Sequence, residues 1–312
     1  MTGGPRASVA SPAPKGALAW DLAAGACIAL SLSVGTEISL RFLGGGPDWI
    51  GAFSTMVQAL LAVLAGSTFT AAGRAWLDRL LERRGKPERR WAPWRAGIAA
   101  AVLILLVTFR LSLPAIAIQY NNHGQKQAER GEITSALHSF RRAIRLAPDL
   151  AVAHYNLAGA EEDLGDYDAA VGEYRLAREA APHRYEIYNN LARLYLLHQK
   201  NPSAALDLIF KARQLGPKEP HVLYSLAKNA GWAELDLGLL HVAERDLRQA
   251  IELDDDGPAA HCLLAQLLEA RQGPDAPQEW SLCRSLAPGR EDEMAPAWLS
   301  QAEERLSAGE NP

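Results

Sequence analysis

"HYNLAGAEEDLGDYDAAVGEYRLAREAAP" stands at residues 154–182. Two short amphipathic runs flank the turn-forming "DLGDYD", which reads as helix, turn, helix. The same columns occur before and after it. "YNNHG" fills 120–124, "HYNLA" 154–158 and "YNNLA" 188–192, so the spacing is 34 residues both times. The middle residue is Asn in each: Asn122, Asn156 and Asn190. A fixed period of this size is the mark of a repeat architecture.

With a frame starting at Ala117, residues 117–150 and 151–184 are two units of 34. In the second, Leu157 and Ala158 take columns 7 and 8, Ala170 column 20, Tyr174 column 24, Ala177 column 27 and Pro182 column 32. Tyr120, Gly124, Ala136, Phe140, Ala143 and Pro148 fall in corresponding columns of the first. This pattern resembles the tetratricopeptide repeat family, with Tyr or His where the family's leading Trp stands. Small residues at columns 8, 20 and 27 let two antiparallel helices approach, and a large residue at 24 fills the space beside them. The third unit starts near Tyr185 and slips by one residue, which places an insertion in the turn at Asn201–Pro202. The fourth puts Gly231 at column 8 and Gly238 at column 15. A degenerate fifth spans roughly 258–291, and a capping helix follows at 295–309. The resemblance implies an all-α fold, a right-handed α-solenoid of four to five helix-turn-helix repeats over 117–291. Residues 292–312 are the capping helix and tail.

The first third differs in kind. Residues 1–116 hold 12 Lys+Arg and 6 Asp+Glu, and residues 117–312 hold 20 and 30. Residues 1–16 have the composition of a disordered tail. The rest of this part, 17–120, reads as a membrane domain with three transmembrane helices, 18–42, 49–73 and 96–120. The stretch 49–73 has 25 residues and no charge, against the ~20 a span needs. No small-x-small cleavage site points to a signal peptide. The loop 74–95 carries eight Lys+Arg, which places it in the cytoplasm by the positive-inside rule and suits contact with membrane lipid rather than nucleic acid. The chain beyond 120 then lies outside the cytoplasm. The localisation expected is the bacterial inner membrane, multi-pass, with the repeat domain periplasmic. Glu37 is 16 residues past Asp21, and Arg110 is 15 past Arg95. At a rise of ~1.5 Å per residue both sit about 23 Å along their helices, so an intramembrane ion pair between them is expected.

No nucleophile elbow, phosphate loop or His/Cys metal spacing occurs, so the chain reads as no enzyme, with no metal and no cofactor. Cys262 and Cys283 read as small buried apolar residues, with a disulfide as the alternative in an oxidising compartment. The resemblance puts column 6 on the concave face of the solenoid. Asn122, Asn156, Asn190 and Asn229 share that column. A carboxamide offers both donor and acceptor, so a ladder of them suits the backbone of an extended peptide. Asn189, Arg193 and Lys228 in columns 5 and 9 add polarity and positive charge. The expected function is that of a membrane-anchored scaffold or assembly factor binding a protein or peptide partner. The alternatives are an accessory subunit of a larger membrane complex, a cytochrome c maturation-type factor, and a glycosyltransferase-related protein.

Overall fold

The structure is a computed structural model that describes residues 17–43, 56, 79, 83, 91–288 and 296–309. The tail 1–16, the stretch 49–73 and most of the loop 74–95 lie outside the described residues. Among the described residues every element is a helix. In chain order they are α1 (Ala17–Leu43), α2 (Trp91–Glu129), α3 (Ile133–Leu146), α4 (Ala151–Asp163), α5 (Tyr167–Ala180) and α6 (Tyr185–Leu197). Then come α7 (Pro202–Gln214), α8 (Pro220–Asp236), α9 (Leu240–Leu253), α10 (Pro258–Ala270), α11 (Ala276–Leu286) and α12 (Pro296–Gly309). The chain divides into two compact units, Met1–Tyr120 with Arg142–Pro148, and Asn121–Arg141 with Asp149–Pro312.

In the first unit, α1 and α2 contain the segments long and apolar enough to cross a membrane, Ala19–Phe42 and Pro93–Glu129. Two charged contacts set their register. Arg95 Nη2 donates to Asp21 Oδ1 at 2.9 Å, and Arg110 Nε and Nη2 donate to Glu37 Oε2 and Oε1 at 2.8 and 2.9 Å. Both contacts advance in the same direction along the two helices, so α1 and α2 are parallel. Arg41, one turn after Glu37, also bonds it at 2.7 Å and donates to the Leu146 carbonyl at 2.7 Å. That carbonyl is one of those a helix C-terminus leaves without an intrahelical partner. The α2 helix runs through Pro114 and ends only at Glu129.

The second unit is the α-solenoid. Each repeat closes its first helix the same way, with a left-handed residue at column 15. Gly131, Gly165 and Gly238 have φ of +76°, +76° and +75°. At each the next N–H reaches back over the turn, as Asp166 N does to Glu161 O at 2.9 Å. Lys200 (φ 51°) and Gln272 (φ 54°) hold this place in the third and fifth repeats. A side chain there costs about 1–2 kcal/mol relative to glycine. The left-handed residue of the third repeat is thus one position late at Lys200, so its insertion precedes Asn201 rather than lying at Asn201–Pro202. Asn201 instead caps α7, accepting from Ala204 N at 3.1 Å.

The small-against-large packing is visible at atomic scale. A Cβ at Gly124 would stand 2.6 Å from the Phe140 ring, and one at Gly231 would stand 2.5 Å from Leu247 Cγ. Column 8 therefore lets the column-24 side chain cross beneath the first helix. One expectation needs correcting. Cys262 in α10 and Cys283 in α11 are joined as a disulfide, with Cα atoms 4.8 Å apart. The antiparallel pairing of the two helices of the fifth repeat brings columns separated by 21 residues face to face, which spacing in sequence did not reveal.

Candidate peptide groove

The column-6 asparagines do not stand alone. Asn156 Nδ2 donates to Asn121 Oδ1 at 2.9 Å, Asn190 Nδ2 to the Tyr155 hydroxyl at 3.0 Å, and Asn229 Nδ2 to Asn189 Oδ1 at 3.0 Å. The acceptor is at column 5 of the preceding repeat every time. Each amide thus bridges consecutive first helices, and this bond fixes its orientation. Asn121 in turn donates to Asn122 Oδ1 at 3.4 Å. The ladder has a structural duty that periodicity did not disclose, and its acceptors Asn121 and Tyr155 were not singled out by the sequence. Their signal was present, since column 5 is polar wherever the next column 6 is Asn.

Around Asn190 the network thickens. Its Nδ2 also reaches the Tyr174 hydroxyl at 3.2 Å, and that hydroxyl donates to Glu162 Oε1 at 2.7 Å. Glu162 is ion-paired with Arg193, from column 12 of one repeat to column 9 of the next. Burial, and then the Glu162 charge, push the Tyr174 phenol far above its ordinary value. It remains a donor at every physiological pH. The open part of this surface runs from the exposed Asn122 to the half-buried Asn156, Asn189, Asn190 and Arg193.

The structure brings two candidate residues out of a ligand's reach. Lys228 is 5% exposed and Asn229 is 1% exposed. Trp232, one turn further on α8, stands edge-on to Trp298 of α12 with ring centroids 4.7 Å apart. The solvent-accessible part of the asparagine ladder therefore covers repeats one to three, and the expectation that Lys228 and Asn229 extend it through the fourth is corrected. Glu37 and Arg110 belong to the first unit and take no part in it. Among the described residues no group of three or more His, Cys, Asp and Glu could hold a metal ion.

Two titratable groups give the later repeats a pH dependence. Burial first, then the charge of Asp246, push the Glu234 carboxyl up to about 7 against the pull of Arg213 and Arg245. Its Oε2 is buried without a hydrogen-bond partner. In the fifth repeat, burial alone would lower His261. Its bonds to Glu279 Oε2 (2.6 Å) and to the Asp255 carbonyl (3.0 Å) outweigh burial and raise it. A raised carboxyl is neutral in the fold at a pH where the unfolded chain has ionised it. Its penalty is absent below about 4.5 and complete above about 7. The raised His261 stabilises below its unfolded value and loses that contribution as pH rises through the folded one. Both shifts act in one direction, so the repeat domain is expected to melt lower at pH 8 than at pH 5. Glu234→Gln should narrow that gap and stabilise at pH 8 by on the order of 1 kcal/mol. Thermal melts of both proteins at the two pH values check this, and an unchanged gap would refute it.

Residues 121–185 match the tetratricopeptide repeat family model. PilW, a widely conserved type IV pilus biogenesis factor, superimposes with a TM-score of 0.51 at 19% identity, over 62% of this chain and 93% of that one. PilF of Pseudomonas aeruginosa gives 0.48 at 21%, over 64% and 92%. YrrB, described as a TPR protein with an unusual peptide-binding site, gives 0.46 at 16%, over 60% and 92%. At these identities the likeness to PilW speaks to the fold alone. No curated protein matches the chain.

Proposed function

For this tetratricopeptide repeat protein we propose the role of a membrane-anchored scaffold or assembly factor, whose concave groove over repeats one to three holds an extended segment of a partner protein. The observation that carries the reading is the asparagine ladder, in register along successive first helices and partly open to solvent. Asn156 spends one N–H on Asn121. A second N–H and the carbonyl oxygen remain for a peptide unit. Because the inter-repeat bond already orients the amide, little freedom is lost on binding. The peptide is read by its backbone, and Arg193 with Asn189 adds a polar preference.

The exposed residues of α1 and α2 support the anchor. Leu22, Leu40, Ile104, Leu105 and Leu111 are all more than 60% exposed, a surface that lipid would cover. Parallel α1 and α2 suit a return of the chain through 49–73. The basic loop 74–95 then stays in the cytoplasm and the repeats lie in the periplasm. The Cys262–Cys283 disulfide fits that oxidising side. In this reading Glu37 and Arg110 meet within the bilayer, where unpaired charge is costly. Glu37→Arg should lower the amount of inserted protein, since it also faces Arg41. Adding Arg110→Glu should restore it in part. An absence of any recovery in membrane fractions contradicts the pairing.

The groove is tested with reduced, carboxymethylated lactalbumin, a permanently unfolded chain, as the probe. Asn156→Ala combined with Asn190→Ala should weaken its binding tenfold to a hundredfold, each amide contributing roughly 0.5–1.5 kcal/mol. The double variant also loses inter-repeat bonds and should melt lower. Asn122→Ala separates the two effects, because this exposed residue should lose severalfold in affinity at an unchanged melting temperature. Undiminished binding by both variants refutes the ladder.

A further inference from the structure

The first unit carries its charge unevenly. The Arg95–Asp21 contact marks one end of the paired helices. Toward the other end, α1 from Glu37, α2 from Arg110 to Tyr120 and α3 over Arg142–Pro148 belong to this unit. Their described residues hold four arginines, Arg41, Arg110, Arg142 and Arg145, against one carboxylate, Glu37. That carboxylate is shared between Arg110 and Arg41, so the end as a whole is strongly cationic. Contacts draw three of the arginines together. Arg41 Nη1 donates to the Leu146 carbonyl at 2.7 Å. Arg142, one turn before Leu146, has its guanidinium carbon 4.9 Å from the centre of the Tyr120 ring. Arg145 follows Arg142 by three residues, which makes the two side chains neighbours on the helix surface. Ala143 and Leu146 are wholly buried while Arg142 and Arg145 are only half-buried. The last turn of α3 thus buries its apolar residues and keeps its arginines at the surface.

Helix length sets the depth of this cluster in the anchored reading. Arg41 is 20 residues past Asp21, and Tyr120 is 25 past Arg95. At a rise of ~1.5 Å per residue they stand ~30 and ~38 Å from the inner contact. A hydrocarbon core is ~30 Å thick, and ~40–45 Å with both headgroup layers. The span from Arg41 to Tyr120, which the last turn of α3 bridges, therefore coincides with the outer layer of headgroups. Tyrosine is enriched at that depth. A guanidinium fork matches a phosphate with two parallel N–H donors. A zwitterionic headgroup brings its own cation to such a site, whereas an anionic one leaves its charge for the arginines.

We propose that Arg41, Arg142 and Arg145 form a binding site for the phosphate of an anionic phospholipid in the outer leaflet, and that the bound lipid clamps the end of α3 to the membrane helices. This rests on the membrane-anchored reading given above. It is distinct from any lipid contact of the basic loop 74–95, which faces the opposite leaflet in that reading.

The test uses the full chain in lipid nanodiscs, made of phosphatidylcholine alone or of an equal mixture with phosphatidylglycerol. Amide hydrogen exchange is followed in residues 142–148, relative to residues 133–139 of the same helix, which removes any general effect of the charged surface. Phosphatidylglycerol should slow exchange in 142–148 by about fivefold. Arg142→Gln combined with Arg145→Gln should abolish that difference. Inorganic phosphate added to the phosphatidylcholine discs should leave exchange unchanged. Equal exchange in the two kinds of disc overturns the site, and so does full slowing that survives in the double variant. Slowing by inorganic phosphate alone assigns the arginines to a free anion and overturns the lipid. If the double variant fails to insert, the wild-type comparison still decides. A full chain that enters neither kind of disc refutes the anchor itself, whereas insertion into both with equal exchange refutes the lipid site alone.

Discussion

Replacing Cys262 and Cys283 together by Ala is expected to cost about 3 kcal/mol, the chain-entropy value for a loop of this size. The bridge closes a segment with a sequence separation of 21 residues and joins the two helices of the fifth repeat at fully buried positions. Repeat arrays draw their stability from nearest neighbours, so the loss falls at one end. The fifth repeat and α12 should unfold first, ahead of a main transition from repeats two to four. Calorimetry of the double variant should show that early step, and reductant should produce it in the wild type. A melt unaffected by both treatments would show that the bridge contributes nothing.

Gly231→Val is expected to destabilise the fourth repeat by about 3 kcal/mol, the upper end for overpacking a filled core. The added Cβ meets Leu247 Cγ at 2.5 Å and the Ala243 carbonyl at 3.3 Å. Leu247 is wholly buried and has nowhere to retreat, and a backbone carbonyl cannot turn aside. Gly159 provides the contrast on α4. The nearest atom to its added Cβ is the Tyr174 hydroxyl at 4.0 Å, so Gly159→Ala should be neutral or stabilising by up to ~1 kcal/mol through helix propensity. Denaturant titrations that rank the two substitutions the other way would contradict the packing described here.

The repeat was legible because its packing rule uses residue size at fixed columns. Gly124, Ala158 and Gly231 each face a large column-24 side chain, and small against large survives in one-letter code. The left-handed column 15 was legible as Gly131, Gly165 and Gly238. It was harder to find where Lys200 and Gln272 take it, since neither residue type announces positive φ. The burial of Lys228 and Asn229 could not be read from α8 alone, because it depends on partners outside their own turn: Asn229 bonds Asn189 of the preceding repeat and Lys228 lies against the Tyr224 ring. The disulfide was hidden for a similar reason, since which faces of α10 and α11 meet follows from a degenerate unit with weak column signals. For the asparagines, periodicity disclosed the ladder, and the family resemblance implied its place on the concave face. Periodicity did not disclose that each amide grips the preceding repeat, because the acceptor is Asn in two cases and Tyr in the third.

Whether an extended chain lies along the inner faces of repeats one to three is decided by placing a photo-crosslinking amino acid at the proposed groove. Gly159 takes column 9 of the second repeat and is open to added volume. Leu176, 46% exposed on the second helix of the same repeat, is the control. With lactalbumin as probe, adducts are expected from position 159 that vanish in the Asn156→Ala, Asn190→Ala background, and none above background from 176. Adducts of equal yield from both positions, or adducts at 159 that survive loss of the two asparagines, would contradict it.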